Sequence, residues 1–418
     1  MTVLIFLLKA YLSFTILIVI LYVVRHYYFT LNRVFGRQRI AYNDIWDSDL
    51  PSVSVLIPMH NEEKVAKYVL EALIASTYPR EKMEVIPIND HSRDKTQEIL
   101  DEYAKNYSFI KPLHRLGNEP RGKPAGLNDA LKIANGEIII IYDADYIPPK
   151  GQLRELAINF IDPEVGAVMG RVVPVNTQAN LLTRLLDLER AGGYQIDQQA
   201  RFNMQLIPQY GGTVGAFRKN LVEKFGGFNP KILAEDTELT FRLYLNGYKV
   251  IYANEVKCYE EVPESWKVRA RQIRRWSRGH NQVLFKYFIP LWRSRHLCWA
   301  QKLDGSLLLF VYAVPTVLFL GILTSFSLFF LGEMQIIANL GFILFMFTFN
   351  TFGNFAPFFE IGTACLLDGT KERIRLLPLF YFVFLYNMWY VFLGSYEALI
   401  DSLSGRQALW QKTERFRK

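Results

Sequence analysis

Apolar residues are distributed along this chain in two ways. Four runs are long and almost unbroken: Met1 to Val24, interrupted only by Lys9, then Leu307 to Leu331, Ile336 to Phe359 and Leu376 to Leu399. Each is long enough for a helix crossing a bilayer core, which takes about 20 residues. Between Arg39 and about Trp299 the apolar residues come instead in short bursts set among polar stretches, as in a water-soluble domain. "SVSVLIPMHNEE" reads as a buried strand feeding a loop, followed by a helical stretch from Glu63 to Ala75. "MEVIPIND" is a second strand ending in Asn89 and Asp90, and a helix over about Asp94 to Tyr107 leads to a third, "FIKPLHRL". "RGKPAGLNDALKIA" turns into a helix, and "EIIIIYDADYIPP" supplies the fourth strand. Strands alternating with helices predict an α/β domain whose parallel sheet is covered on both faces. Ligands of such sheets bind outside the carboxyl ends of the strands. His60, Asn61, Glu62, Asp90, Asp143 and Asp145 all fall at that edge.

The first apolar run reads as an uncleaved anchor: it is long, its basic residues follow it, and no small-residue cleavage site is evident. Arg25, Arg33, Arg37 and Arg39 come just after it, so the positive-inside rule places the soluble domain in the cytoplasm. Three C-terminal spans would then leave Arg406, Lys412, Arg415, Arg417 and Lys418 outside, against the same rule. One run is therefore expected to be interfacial or re-entrant, and Leu376 to Leu399, with Pro378, Asn387 and Gly394, is the first suspect. Two amphipathic segments, from Leu181 and from Trp276, suit either the headgroup layer or ordinary domain packing. The expected organisation is an anchor over 1–38, a soluble domain over 39–275, an interfacial region over 276–304, a membrane region over 305–400 and a basic tail over 401–418.

The net charge of +8 fits anionic lipid headgroups or an anionic substrate equally well. Nucleic acid is not an expected partner, because the basic residues gather beside apolar segments and no nucleic-acid-binding motif occurs. Cys258, Cys298 and Cys365 show neither metal nor disulfide spacing, which suits a reducing compartment.

Two carboxylates one residue apart at the end of a buried strand, Asp143 and Asp145, suit a hard divalent cation such as Mg2+ or Mn2+ bound to a diphosphate, provided a turn brings them together. Tyr146 to Pro149 supplies the turn; a solvated acidic turn is the plainer alternative. Lys123, between Gly122 and Gly126, is placed to neutralise phosphate or is a solvated helix-start lysine; it is no Walker loop. Glu62 and Asp90 suit hydrogen bonds to a base or ribose, or are turn residues. Glu235 and Asp236 open a helix, where capping competes with a general base. "RARQIRRWSRG" clusters arginines around Gln272 and Trp276; a basic membrane-surface helix explains most of them, whereas Trp276 offers a face for a sugar ring and Arg275 suits a phosphate.

Taken in order, these motifs make the chain resemble the membrane-bound family 2 glycosyltransferases of cellulose-synthase-like arrangement, over about Pro51 to Trp276. The resemblance implies a GT-A, Rossmann-like nucleotide-sugar-binding domain in the cytoplasm, joined to a helical transmembrane region with interfacial helices. It implies that Glu62 and Asp90 contact the nucleotide base, Lys123 the diphosphate, and Asp143 and Asp145 the nucleotide-sugar and its metal. Asp236 would be the base, Gln272, Arg275 and Trp276 the Gln-x-x-Arg-Trp motif, and Gly211, Gly212, Thr213 and Glu235 the acceptor side, shared with Trp276. "NDHS" departs from the family's paired aspartates and glycine, "AED" from its Thr-Glu-Asp, and the membrane region is small, without a gating-loop candidate.

The expected activity is inverting transfer of a hexose from a GDP- or UDP-linked donor (mannose, glucose or N-acetylglucosamine) to a lipid acceptor, forming a β-linkage. Dolichyl or polyprenyl phosphate, a lipid-linked glycan and a glycolipid all suit the interfacial helices, in contact with membrane lipids. The alternatives are a processive synthase of a β-linked polysaccharide, with self-association supplying a channel, and a catalytically silent nucleotide-sugar-binding scaffold.

Overall fold

The computed structural model describes residues 2–42, 46, 49–333 and 340–405, with side chains described outside 340–352. Helix α1 (Thr2–Phe35) precedes a seven-stranded sheet of order β3-β2-β1-β4-β6-β5-β7. The first four strands are β1 (Val53–Met59), β2 (Met83–Asp90), β3 (Leu113–Arg115) and β4 (Ile138–Ile141), joined by α2 (Ala66–Ile74), α3 (Thr96–Asn106) and α4 (Lys123–Ile133). All four lie where the apolar bursts predict them, and the helices are trimmed by a few residues. Strand β4 pairs with β1 in register Val53 to Ile138 through Leu56 to Ile141. Its isoleucines alternate between two cores: Ile138 and Ile140 pack with Val53 and Val55, Ile139 and Ile141 with Leu56. Burial on both faces explains the unbroken apolar run.

The sheet is not wholly parallel, which corrects the sequence expectation. After α5 (Gln152–Ala157), β5 (Val165–Pro174) is followed by α6 (Leu181–Ala191), a π-helical segment (Gly192–Gln198) and α7 (Gln199–Asn203). Strand β6 (Gly215–Arg218) then enters antiparallel between β4 and β5. Only four residues long and opening on Gly215, it carries no periodic signal of its own. Helices α8 (Lys219–Lys224) and α9 (Glu235–Leu245) lead to the edge strand β7 (Lys249–Glu260), parallel to β5.

Helix α10 (Trp266–Arg293) runs unbroken through residue 275, from the sheet domain to the apolar helices α11 (Trp299–Phe310), α12 (Val314–Phe330), α13 (Leu340–Leu367) and α14 (Leu377–Ser404). Among the described residues, α1 and the segment Lys371–Ser404 are each long and apolar enough to cross a membrane. A third crossing is available if α11 and α12, bent by 66° at their junction, act as one span. The break thus falls in the run Leu307 to Leu331, not in Leu376 to Leu399 as expected. Pro315, in the first turn of α12, cannot donate the backbone hydrogen bond that would continue α11. The features that made the last run suspect serve other ends. Pro378 lies in the first turn of α14, where its missing N–H costs nothing, and Asn387 Oδ1 accepts from Arg269 Nε (3.4 Å). At Gly394 a Cβ would strike the Arg274 carbonyl and come within 2.9 Å of Ser277 Cβ, so α14 lies directly on α10. The basic residues beyond Gly405 and the start of the run from Ile336 lie outside the described residues.

The two regions are tied by buried charge. Arg25 Nη2 of α1 meets Asp197 Oδ1 (2.9 Å) and Arg201 Nε of α7 meets Asp304 Oδ2 of α11 (3.1 Å), while His26 Nδ1 of α1 and Glu360 Oε2 of α13 (2.5 Å) join two of the apolar helices to each other. One core cluster also runs from Ile139 and Ile141 through Val283 and Leu284 of α10 to Leu308 and Leu309 of α11. The contact at Gly394 is a close seam between α14 and α10. Gly394→Val is expected to destabilise the protein by about 1–3 kcal/mol through overpacking, read as a lower unfolding midpoint in detergent micelles.

Candidate active site

At the carboxyl ends of β1, β2 and β4 lies a cavity of about 270 Å³ that brings together Glu62, Asp90, Lys123, Asp143, Asp145, Gly211, Thr213, Glu235, Asp236, Gln272, Arg275 and Trp276. Gly212 stands just behind it. Every residue singled out in the sequence is therefore in or against one site.

The chain leaves β4 and turns at once, Tyr146 N donating to the Asp143 carbonyl (3.2 Å), so that both aspartates face one cavity instead of diverging. Asp145 is buried, whereas Asp143 is partly open. Lys123 is the first residue of α4, entered through Gly122 at φ +112°. Its ammonium reaches Asp143 Oδ1 (3.0 Å), Glu235 Oε1 (3.3 Å) and the Gly212 carbonyl (2.9 Å). Burial opposes this charge, but Asp143 and Glu235 more than offset it and hold the pKa above that of an ordinary lysine.

Glu235 and Asp236 occupy the first turn of α9, whose N-cap is Ala234, so neither is the capping residue. Asp236 Oδ1 accepts from Thr237 N (2.6 Å). Burial raises the pKa of both carboxyls, partly countered at Glu235 by Lys123 and at Asp236 by Thr237 N and then Lys123. Such a carboxylate can take a proton from a hydroxyl more readily than a solvated one. Gly212, at φ +72°, leaves this carboxylate room: a Cβ there would lie 2.9 Å from Asp236 Oδ2. Two residues on, Val214 sits at φ +49°, an unusual conformation for a β-branched side chain, its carbonyl held by Gly170 N (2.8 Å).

Asp90, expected to contact the nucleotide base, lines the cavity and also holds three neighbours. Its Oδ1 faces Arg115 Nη1 (2.5 Å) and His91 Nδ1 (2.7 Å), and its Oδ2 accepts from Gly122 N (2.8 Å). The carboxylate thus clamps the loop that delivers Lys123. His60 Nδ1 donates to the Asp90 carbonyl (2.6 Å) and its Nε2 faces Asn61 Nδ2 (3.1 Å), which fixes the tautomer.

Gln272, Arg275 and Trp276 come from α10. The Trp276 ring, expected to offer a face to a sugar, lies within cation–π reach of the Arg190 (5.2 Å) and Arg269 (5.4 Å) guanidinium groups. Arg269 grips Glu189 through two bonds (2.8 and 2.7 Å) and donates to Gln272 Oε1 (3.0 Å). Arg190 Nε donates to Glu260 Oε1 (2.6 Å), and Tyr146 OH to Glu260 Oε2 (2.8 Å). Arg190, Glu260, His280 and Tyr312 line the cavity yet escape sequence reading. Only His280 leaves a signal, one helical turn after Trp276 and thus on the same face. Burial pushes its pKa down to about 4, keeping the imidazole neutral.

A GT-A-like α/β sheet with an acidic rim, closed by a basic helix, defines a nucleotide-sugar-dependent transferase class. The chain belongs to this class by descent as well: residues 51–279 match the family described as glycosyltransferase like family 2, and the protein is a glycosyltransferase. It is 32% identical over 383 residues to the probable glycosyltransferase YdaM of Bacillus subtilis, covering 88% of each chain. It is 30% identical over 277 residues to the beta-monoglucosyldiacylglycerol synthase of Synechocystis, covering 64% of this chain and 55% of that one. The Nostoc enzyme of the same name is 31% identical over 293 residues, with 68% and 61% covered. The chain therefore spans less than two thirds of the length of these two synthases. Among solved structures, the mannosyltransferase PcManGT from Pyrobaculum calidifontis, in complex with GDP-Man and Mn2+, shares the fold at a TM-score of 0.63 and 21% identity, over 94% of this chain and 99% of that one.

The Gly212 contact yields a direct check. Gly212→Ala is expected to displace Asp236 and lower kcat/KM by about tenfold to a hundredfold, the scale of a misplaced reacting group, in a nucleotide-release assay.

Proposed function

We propose that the protein is an integral membrane enzyme of the Gln-x-x-Arg-Trp type, its catalytic domain in the cytoplasm. It transfers a hexose from a nucleotide-diphosphate sugar to the hydroxyl of a glycerolipid such as diacylglycerol, inverting an α-linked donor to a β-linked product. The observation that carries the lipid acceptor is the origin of the cavity wall: Tyr312, at the break between α11 and α12, lines the same cavity as Asp236. An acceptor resting among the apolar helices would meet the donor there. The names of the cyanobacterial relatives support the same class of acceptor.

In this reading Asp236 takes the proton of the acceptor hydroxyl as its oxygen attacks the anomeric carbon from the side opposite the diphosphate. The new C–O bond forms, the glycosyl–phosphate bond breaks, and the nucleoside diphosphate leaves with the electron pair. Lys123 and Arg275 stabilise its charge. A hydroxyl needs a base and a phosphate nucleophile does not, and Asp236, on the cavity wall with Tyr312, is placed to serve a hydroxyl lipid.

Asp143 and Asp145 fit a divalent cation: they form an oxygen-only pair, and Mg2+ or Mn2+ is commonly held by one or two carboxylates plus substrate phosphates and water. Among the described residues no group of three or more His, Cys, Asp or Glu could hold a metal, so donor-phosphate oxygens would complete the shell. When bound, the ion supplies positive charge to the departing diphosphate. Glu62 sits on the side of the cavity suited to the nucleoside, and Gly211 and Thr213 on that of the acceptor.

The test is nucleotide release by the full-length protein with Mn2+, from UDP-glucose, UDP-N-acetylglucosamine and GDP-mannose, in vesicles with diacylglycerol, with polyprenyl phosphate or with neither, products resolved by mass. One hexose on diacylglycerol is expected; a lipid-independent ladder would overturn the proposal. Asp236→Asn should lower kcat by at least about a hundredfold. Since the base must be ionised, kcat/KM should rise with pH through an acid limb above the ordinary aspartate value of about 4. Glu235→Gln, which deletes a neighbouring negative charge, should move that limb to lower pH.

A further inference from the structure

We infer that Tyr312 and His280 form an acceptor-selecting wall that admits the hydroxyl of a bare lipid and excludes an acceptor already carrying a sugar, so that synthesis stops after one hexose. This inference rests on the lipid-acceptor reading above. The attacking oxygen must come within hydrogen-bond reach of Asp236, and whatever carries that oxygen must occupy the next few ångströms. A continuous chain of contacts leads away from the base on the side of the membrane helices. Thr237 Oγ1 lies 3.3 Å from Asp236 Oδ1 and 3.5 Å from His280 Nδ1. Gln209 Nε2 donates to the same Oγ1 (2.8 Å), which leaves the Thr237 hydroxyl hydrogen for Asp236 or His280. The His280 ring in turn packs against Tyr312 at 4.4 Å between centroids. Tyr312 lines the same cavity as Arg190 and Asp236.

The wall is built to stay in place. Ser395 Oγ of α14, whose one hydrogen is shared between the Val391 carbonyl (2.9 Å) and the Tyr312 carbonyl (3.3 Å), accepts from Thr316 Oγ1 (2.9 Å) and Asn281 Nδ2 (3.0 Å). Ser277 Oγ, one turn before Asn281 on α10, donates to the Val391 carbonyl (2.8 Å). On the other side, a Cβ on Gly279 would lie 2.8 Å from Ala234 N, so α10 abuts the residue before α9 and carries His280 close to Thr237. Polar side chains of three helices thus fix an aromatic pair beside the base. A glycerol CH2–OH is narrow enough to pass such a pair, whereas a pyranose bearing the attacking hydroxyl brings the volume of a whole ring against the cavity wall that Tyr312 and His280 share.

The experiment compares diacylglycerol with purified monohexosyl-diacylglycerol as acceptors, for the wild-type protein, Tyr312→Ala, Tyr312→Phe and His280→Ala, with nucleoside-diphosphate affinity by calorimetry as the control for folding. Wild type and Tyr312→Phe are expected to use diacylglycerol and leave the glycolipid untouched. Tyr312→Ala should raise kcat/KM on the glycolipid at least about tenfold, the scale of relieving one steric clash in a pocket, and yield a dihexosyl product. An unchanged ratio between the two acceptors in Tyr312→Ala, with nucleotide affinity retained, overturns the inference. Should Tyr312→Ala lose nucleotide binding, the same ratio in His280→Ala decides. Extension of the glycolipid by the wild type overturns the inference alone, whereas failure of the wild type on every lipid removes the lipid-acceptor reading with it.

Discussion

A single buried ammonium makes the arrangement of this site tenable. Four carboxylates, Asp143, Asp145, Glu235 and Asp236, converge on one cavity from two distant segments. Their mutual repulsion in a partly dehydrated space would drive the segments apart or force protonation. Lys123 prevents this by touching Asp143, Glu235 and the Gly212 carbonyl together, which ties the exit of β4, the first turn of α9 and the Gly211–Thr213 bend to the start of α4. The amino end of α9 adds its own partial positive charge beneath Glu235 and Asp236. Chemistry and architecture thus rest on the same ion, because the charge suited to meeting a diphosphate is also the one that lets the acids gather.

Much of the sheet and site was legible because the responsible signals are local. A run such as Ile138 to Ile141 can be read as a strand buried on both faces, and an acidic pair at its end can be placed at a sheet rim without any knowledge of the tertiary fold. Strand β6 was not legible, since four residues entering antiparallel owe their place to neighbours far off in sequence. The apolar runs misled in a different way. Pro378, Asn387 and Gly394 look like helix breakers in one dimension, yet a proline in the first turn, an asparagine accepting from Arg269 and a glycine at a helix crossing all belong to an intact helix. The actual bend lies by Tyr312, where only Pro315 hinted at it.

Asp90 shows how a position can be legible while its partners within the chain are not. It stands at the strand end foreseen for it, but what its oxygens meet was written elsewhere in the chain. Arg115 on β3 and Gly122 before α4 take both of them, so the residue organises the loop that delivers Lys123. His280, Arg190 and Tyr312 illustrate the converse: the first two reach the cavity from helices whose sequence speaks of packing and the third from the turn between α11 and α12, and their company is visible only once the helices are docked.

The segment shared with the family ends at residue 279, while α10 continues to Arg293 and gives Val283, Leu284, Tyr287 and Leu291 to a core cluster that holds both strand isoleucines and Leu308 and Leu309 of α11. The stretch that the family shares and the body that packs as one core are therefore different objects. Cutting the polypeptide where the recurring stretch stops would sever a helix in mid-course and strip the sheet of part of its oil. Lineages that reuse this catalytic module on other anchors must each re-solve the same problem, finding a new partner for the underside of the sheet.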